Sequence, residues 1–344
     1  MIAAGNDADI HSMTNFNCAE FQQLWEVVKV PVTAIHSGGR HSRFNPMTWF
    51  LIALTWAKHN PTFSQLSRDF HMSPQNVADG IKKTIHKCAE YLWAHYVQWT
   101  PLDTLILQNK TFANFPTAIC AVDATVQKVH RNADTSQSFY SGKHRIPCIK
   151  IQAAVQPNGL LAEASVPVPG QTHDFELYKR SGLNDRLNAW TDQRRIQMPR
   201  ADPMSALFDK GYIGIRAIYA TAVLPHKKPP HQDLTRAQKD YNRLVSEDRI
   251  LVERWFGRLK GNWKIMSGTW PLNTNGLSDY QVYFCFCAAL TNAHIIAHPL
   301  IDADRTAYQN LAVPVYKRNQ GLVRLGVYHQ PGVAMARAGD PIPQ

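Results

Sequence analysis

The segment TAICAVDATVQKV, Thr117–Val129, marks a change of structure type within a chain of 344 residues. Upstream of Pro116, apolar residues recur at helical spacing. Within the segment, apolar and polar residues alternate with the period of two that is typical of a strand. The sequence therefore predicts a helical unit that is followed by a sheet.

Further strand-like runs follow this segment. The run CIKIQAAVQPNGLLAEASVPV, Cys148–Val168, contains two strand patterns separated by the turn residues Pro157–Gly159. The runs MSALFDKGYIG and ATAVLPHKK predict further short strands, and helical spacing returns at Ser246–Gly261 and Leu277–Ala297. A hairpin followed by strands that alternate with helices predicts a mixed α/β sheet flanked by helices.

Upstream of the sheet, the sequence marks the ends of three helices. Asn60-Pro61 ends the first helix, Thr62 caps the second, and Ser73 caps a third that has Pro74 in its first turn. This order predicts a helix-turn-helix unit, although an ordinary helical bundle has the same signals. The third helix would present side chains that can bind base edges or phosphates: Gln75, Asn76, Lys82 and Lys83.

Charge and cysteine content narrow the function classes. The 37 Lys and Arg residues outnumber 26 Asp and Glu residues, which gives a net charge of +11 and a pI near 9.4. This charge favours nucleic acid as a partner, although a merely basic soluble enzyme would look the same. Six scattered cysteines and an opening without a secretory signal predict free thiols in a reducing compartment. The most apolar segment, Val282–Leu290, is much shorter than the roughly 18 residues of a membrane helix.

Four carboxylates fall at strand ends or at helix starts, where a scaffold fixes the backbone and leaves side chains free to react. They are Asp123, Asp174, Asp209 and Glu253. If they converge, repulsion is relieved by shared divalent cations, and hard oxygen ligands select Mg²⁺ or Mn²⁺. A pair of such ions can activate water or a 3′ hydroxyl at a phosphodiester. Each acid also has an interpretation without a metal. Glu253 could form an ion pair with Arg249 or Arg258 on a solvated helix face, Asp174 could cap a helix, and Asp209 could stabilise a turn.

A second constellation is less specific. His294 and His298 are four residues apart on a predicted helix and could hold zinc, but a third ligand is not evident and no Glu follows the first His. Packing or DNA contact is the preferred interpretation of this pair. Other predicted core residues are Cys285, Cys287, Trp255, Trp263 and Trp270.

Linked motifs resemble the DDE transposases of the PIF/Harbinger superfamily and the related bacterial insertion-sequence enzymes. They are AVDATVQKV, FYSGKHRIPCIKIQ, PGQTHDFELY, FDKGYIG and VERWFGRLKGNW, in the order and spacing of that family. The resemblance spans residues Met47 to Ala297. One departure is Ala124, where many relatives have Gly, and no required carboxylate is missing.

This resemblance implies a ribonuclease H-like DDE catalytic domain at residues 116–300, after a helix-turn-helix DNA-binding domain at residues 46–115. Residues 1–45 are expected to be an N-terminal lead-in that begins with the mobile polar stretch MIAAGNDADIHS, and residues 301–344 a C-terminal tail. The resemblance also implies that Asp123, Asp209 and Glu253 are the catalytic triad and that Asp174 is a fourth metal ligand. The implied cofactors are two Mg²⁺ or Mn²⁺ ions. Nearby basic residues are predicted phosphate contacts, with solvated surface charges as the alternative: Lys143, His144, Arg145, Lys210, Arg254, Arg258 and Lys260.

The implied function is a transposase that binds terminal inverted repeats in double-stranded DNA, then cleaves and transfers the strands. A homodimer or higher oligomer is expected because two transposon ends must be joined. A eukaryotic source would imply a Myb-like accessory protein and a nuclear location, and a bacterial source would imply the cytoplasm. The alternatives are a domesticated DNA-binding adaptor without catalysis and a nuclease that hydrolyses DNA without strand transfer.

Overall fold

The computed structural model describes residues 6–36, 44–130, 136–272 and 276–299. The helices are α1 (Asp7–Thr14), α2 (Cys18–His36), α3 (Pro46–His59), α4 (Phe63–Phe70), α5 (Pro74–Tyr96), α6 (Leu102–Leu107), α7 (Ser136–Phe139), α8 (Asp174–Arg180), α9 (Leu183–Gln197), α10 (Arg236–Asn262) and α11 (Gly276–Ala297). The strands are β1 (Ala118–Lys128), β2 (Tyr140–Ser141), β3 (Ile146–Val155), β4 (Leu161–Ala164), β5 (Val168–Pro169), β6 (Ser205–Phe208) and β7 (Ala222–Val223). The predicted tail at residues 301–344 lies outside the described residues.

The strands form one mixed sheet, as the alternating pattern predicts. Its order is β2-β3-β1-β6-β7, and β4 and β5 also pair with β3. The pairs of β3 with its neighbours are antiparallel, whereas β6 runs parallel to both β1 and β7. The parallel pair is important for function because the residues that follow β6 lie beside the middle of β1.

Helices cover both faces of this sheet. Val122 of β1 belongs to the apolar cluster that includes Leu187 of α9, whereas its neighbour Ala121 belongs to the cluster that includes Trp255 of α10. The α10 cluster also contains buried residues from α1 to α5, such as Ile85. The helical unit and the sheet therefore share one hydrophobic core.

The predicted ends of α3, α4 and α5 are confirmed. α3 ends at Asn60, which adopts the left-handed conformation just before Pro61. The Thr62 hydroxyl accepts a hydrogen bond from the backbone N–H of Gln65 in a reciprocal capping box. The Ser73 hydroxyl caps α5 by accepting a single hydrogen bond from the backbone N–H of Asn76. These caps satisfy backbone groups that a helix end leaves free.

The N-terminal segment differs from the predicted lead-in, because residues 7–36 form two helices. The Asn6 side chain accepts a hydrogen bond from the backbone N–H of Asp9, so polar residues that suggested a loose chain are in fact a helix cap. Ile10, Phe16 and Phe21 are buried in the main core. Burial of these apolar side chains stabilises the segment against the rest of the protein.

The two long C-terminal helices agree with the sequence patterns in most respects. α11 confirms the predicted helix at Leu277–Ala297, but α10 begins at Arg236 rather than at Ser246 because Thr235 and Gln238 form a capping box. Val252, Phe256 and Leu259 form a buried apolar stripe along α10. The predicted core residues Trp255, Trp263, Trp270, Cys285 and Cys287 are also buried. In the described ranges, no helix is both long and apolar enough to span a membrane.

Candidate active site

Two of the predicted acids lie side by side on neighbouring parallel strands. Asp123 is in β1, and Asp209 directly follows β6. Val122 pairs with Phe208 in the parallel ladder, so the next residue on each strand is again a neighbour of the other. Because side chains alternate along a strand, both acids share the sheet face that α10 covers.

Helix α10 brings Glu253 to the same place, and Asp248 fixes the helix there. The buried Asp248 carboxylate accepts hydrogen bonds from the backbone N–H groups of Asn114 and Phe115, at 2.9 and 3.0 Å. These two residues lead into β1. The helix is therefore tied to the strand that carries Asp123.

A single guanidinium, that of Arg249, contacts all three acids. Its Nη2 atom lies 2.7 Å from Asp123 Oδ2 and 3.8 Å from Glu253 Oε1, and its Nη1 atom lies 3.5 Å from Asp209 Oδ1. The Arg249 side chain is only 8% exposed, whereas the Glu253 side chain is 58% exposed. The structure thus brings the three acids together around one cation, and Glu253 also makes the pair with Arg249 that the sequence left open.

Burial shifts the acid–base properties of this cluster. It raises the pKa of the Asp123 carboxyl, and the Arg249 charge and the backbone N–H of Ala124 oppose that rise. Burial also raises the pKa of the Tyr212 phenol, and the charges of Asp123, Asp174 and Asp209 raise it further. Both shifts favour the uncharged forms of these two groups.

Asp174 lies near the triad, but its oxygens face two lysines. The Nζ atom of Lys150, on β3, is 2.9 Å from Asp174 Oδ1 and also donates a hydrogen bond to the Thr172 carbonyl at 2.6 Å. Lys143 Nζ is 3.6 Å from the other carboxylate oxygen. A Cβ atom at Gly211 would lie 2.5 Å from that oxygen, so Asp174 packs against the turn that follows β6.

A divalent cation fits the donor chemistry of this cluster, although a guanidinium now lies at its centre. Carboxylate oxygens are the ligands that Mg²⁺ and Mn²⁺ prefer, and three of these carboxylates already face one positive charge. Within residues 6–36, 44–130, 136–272 and 276–299, the Tyr212 hydroxyl and Arg249 Nε are buried without a hydrogen-bond partner. In the same residues no group of three His, Cys, Asp or Glu side chains lies in an arrangement that could hold a metal ion.

Residues 122–292, which include all four acids, match the family described as DDE superfamily endonuclease. This region is therefore similar to the DDE superfamily endonucleases. The chain is also 24% identical over 248 residues to the probable transposase for insertion sequence element IS702 of Microchaete diplosiphon. That alignment covers 72% of this chain and 82% of the relative. No solved structure is significantly similar to the chain.

The predicted DNA contacts in and around residues 122–292 fall into two groups. The first group has exposed side chains: Gln75, Asn76, His144, Arg145, Lys210 and Arg254. The second group already makes contacts within the protein: Lys143 with Asp174, Lys82 with Asp279, Lys83 with the Ile35 carbonyl, Arg258 with the His298 carbonyl, and Lys260 with the Val126 carbonyl. Within the first group, the Gln75 amide donates a hydrogen bond to Asp79 Oδ1 at 2.9 Å, on the exposed side of the same helix.

A basic face at the start of α10 is absent from the sequence predictions. Arg236, Lys239 and Arg243 are exposed and lie at i, i+3 and i+7, so they share one face of the helix. The same face continues to Arg254, close to Glu253. The spacing of these residues was the available signal, but the predicted helix began too late to include them.

The histidine pair on α11 packs against the N-terminal helices. The rings of His294 and His298 are 4.6 Å apart, and His298 Nε2 lies 3.1 Å from Glu20 Oε2. His294 also makes an edge contact with Phe16. Burial lowers the pKa of His294 to about 3, and the neighbouring charge of His298 acts in the same direction. These contacts favour the packing interpretation over zinc.

Proposed function

We propose that the protein is a DNA transposase that cleaves double-stranded DNA at transposon ends and joins the released strands to a target. The observation that carries this proposal is the convergence of Asp123, Asp209 and Glu253 around one cation within residues 122–292. These three acids are the proposed catalytic residues. The similarity to a probable transposase supports the proposal, because the alignment covers most of that protein.

A pair of divalent cations, Mg²⁺ or Mn²⁺, is the proposed cofactor. Asp123, Asp209 and Glu253 would hold it, and when bound it would supply the Lewis acid that polarises the phosphodiester. Asp174 has two lysine partners instead, so its proposed role is to support the turn after β6. This role differs from that of a fourth ligand.

Exposed cations around the acids are the proposed contacts of the cleaved strand. Lys210 directly follows Asp209, and Arg254 directly follows Glu253. His144 and Arg145 lie in the turn that precedes β3. The α10 face from Arg236 to Arg254 spans about 27 Å at the usual helical rise, so it can contact phosphates well beyond the cut.

The helical unit is the proposed reader of the terminal inverted repeats. Gln75 and Asn76 are exposed in the first turn of α5, the part of a recognition helix that reaches base edges. Lys82 and Lys83 lie further along α5 and contact Asp279 and the Ile35 carbonyl. The base contacts are therefore proposed for the start of the helix.

The remaining parts of the proposal follow from the reaction and from the sequence motifs. Water is the proposed nucleophile in cleavage, and the released 3′ hydroxyl is the proposed nucleophile in joining. A homodimer or higher oligomer is proposed because two ends must be held together. The PIF/Harbinger subfamily, a Myb-like partner and a nuclear location, or a cytoplasmic one in bacteria, stay predictions from the sequence.

The test uses supercoiled plasmid that carries the DNA flanking the gene, incubated with protein and Mn²⁺. Glu253→Gln should abolish nicking without unfolding the protein, because the side chain is 58% exposed. Glu247→Gln is the matched control, since Glu247 lies on the same helix and also pairs with an arginine four residues earlier. Equal nicking by Glu253→Gln and the wild type would contradict the proposal.

Two other outcomes would assign the alternative functions. Tight DNA binding without nicking in any divalent metal would identify an adaptor protein. Nicking without integration of a labelled transposon end would identify a nuclease that does not transfer strands.

A further inference from the structure

The guanidinium at the centre of the triad is an internal cation in an unusual position. Arg249 comes from the same helix as Glu253, one turn earlier, yet its closest contact is Asp123 on the opposite side of the cluster, at 2.7 Å. The side chain is almost fully buried. In the part of the chain that the structure describes, Arg249 Nε has no hydrogen-bond partner.

A cation at this position has a clear electrostatic reason. Three carboxylates that face one point repel one another, and the Asp123 side chain is only 18% exposed, so water screens this repulsion poorly. A guanidinium is always charged and can contact several carboxylates at once through its planar set of donors. Arg249 therefore neutralises the acids when nothing else does.

A divalent cation would need the same oxygens. Asp123 Oδ2 and Glu253 Oε1 both face Nη2 of Arg249, and Asp209 Oδ1 faces Nη1. A guanidinium and a metal ion within this set of oxygens would repel each other at short range. The two cations are therefore alternatives at this position.

We propose that Arg249 is the resident counter-cation of the triad and that a divalent metal ion must displace it to bind. This proposal rests on the proposed function in one respect, which is that the protein uses a divalent metal ion. Arg249 is then a positioning residue: it holds the carboxylates close together before the metal arrives, and it weakens metal binding by competing for the same oxygens.

The backbone around Arg249 allows this exchange without a change of fold. The preceding residue, Asp248, is held by the backbone N–H groups of Asn114 and Phe115. Val252 and Trp255 are buried on the core side of the same helix. The helix stays in place, so the exchange requires movement of the arginine side chain only.

The test compares Arg249→Met with the wild type in two measurements that involve no DNA. Calorimetric titration should show that Arg249→Met binds Mn²⁺ about tenfold more tightly, because the competing charge is gone. Thermal unfolding should show a lower melting temperature than the wild type in EDTA and a larger rise when Mn²⁺ is added. Arg243→Met is the matched control, since Arg243 pairs with Glu247 at the same spacing on the exposed side of α10. It should bind Mn²⁺ like the wild type.

A purely structural role for Arg249 would lower stability without tightening metal binding. An affinity for Mn²⁺ that rises less than about threefold, or falls, overturns the proposal. If Arg249→Met does not fold, Arg249→Gln is measured against the same limit, because its amide can still hydrogen-bond to Asp123. Nicking by the wild type together with an unchanged affinity in the variants would refute this inference alone. Tighter binding without any nicking would refute the proposed function alone.

Discussion

Replacement of Asp174 with asparagine should destabilise the protein strongly, because it removes the counter-ion of a buried lysine. Lys150 Nζ lies 2.9 Å from Asp174 Oδ1, and the two side chains are only 6% and 8% exposed. In Asp174→Asn, the Thr172 carbonyl at 2.6 Å would remain as a partner of the lysine. Loss of one member of a buried ion pair costs about 3–5 kcal/mol, a large part of the roughly 5–15 kcal/mol that keeps a domain folded.

The opposite replacement, Lys150→Met, should cost less. Lys143 Nζ is 3.6 Å from the other oxygen of Asp174, and its exposed side chain can move closer to neutralise the carboxylate. The double variant removes both charges, so its cost should fall short of the sum of the single costs by about 2 kcal/mol. Lys179→Met is the control, because Lys179 pairs with Glu176 on the exposed side of α8 and such pairs contribute about 0–1 kcal/mol.

Urea unfolding, followed by tryptophan fluorescence, gives the free energy of unfolding of each variant. Calorimetric titration of the same samples gives their affinity for Mn²⁺. We expect a clear coupling energy between Lys150 and Asp174 and a Mn²⁺ affinity that Lys150→Met retains. If Asp174→Asn unfolds like the wild type but loses Mn²⁺ affinity, the reasoning is refuted, since a metal ligand would behave in that way.

Three further perturbations test packing, protonation and DNA contact. Gly80→Ala should lower the free energy of unfolding, measured in urea, by about 1–3 kcal/mol, because the added Cβ would lie 2.3 Å from the Trp49 ring. In the control Gly257→Ala the Cβ would meet open space, so this change should stabilise α10 by up to about 1 kcal/mol. Equal effects of the two substitutions would contradict the packing argument. Burial lowers the pKa of His294 to about 3 in the folded protein, from an ordinary value of 6.5 in the unfolded chain. Between pH 6.5 and pH 3 the unfolded chain therefore binds a proton at this histidine that the folded protein does not, so the protein loses stability as the pH falls through this range. His294→Phe should therefore reduce the loss of stability between pH 6.5 and pH 4 by up to about 1.4 kcal/mol per pH unit, and an unchanged slope in urea titrations would refute this. Lys239→Gln should reduce the steepness of a plot of log DNA affinity against log salt concentration by about one unit, because one phosphate contact is lost. A slope identical to that of the wild type would show that Lys239 does not contact DNA.

The sequence was sufficient for those helices and strands whose ends are encoded locally. Thr62 and Gln65 form a capping box, and Pro74 can occupy only the first turn of α5, so three or four neighbouring residues determine where each helix begins. The helices at residues 7–36 were missed for a different reason. Their polar caps look like a loop in isolation, and Pro31 interrupts the helical signal within α2.

The sequence indicates the acids of the candidate site and the local pair of Glu253 with Arg249, but not the partners that are distant in the chain. The acids are marked by motifs at strand ends, which a single sequence displays. The partner of a charge depends on tertiary distance, and Arg249 lies 126 residues from Asp123. Lys83 shows the same limit, since helical spacing places it outward while its ammonium group donates to the Ile35 carbonyl of a neighbouring helix.

The position of the helical unit relative to the acids is fixed by buried polar contacts as well as by the shared core. Asn292 of α11 is fully buried, and its side-chain amide donates hydrogen bonds to the carbonyls of Tyr96, at the end of α5, and Leu161, at the start of β4. Its carbonyl oxygen accepts hydrogen bonds from the indole of Trp255 on α10 and from the backbone N–H of Leu161. A buried amide with all these partners is costly to displace, because each lost partner leaves a polar group unsatisfied. The helix that is proposed to read DNA and the helix that carries Glu253 are therefore held by the same side chain, so DNA bound at the start of α5 meets the acids at a fixed distance.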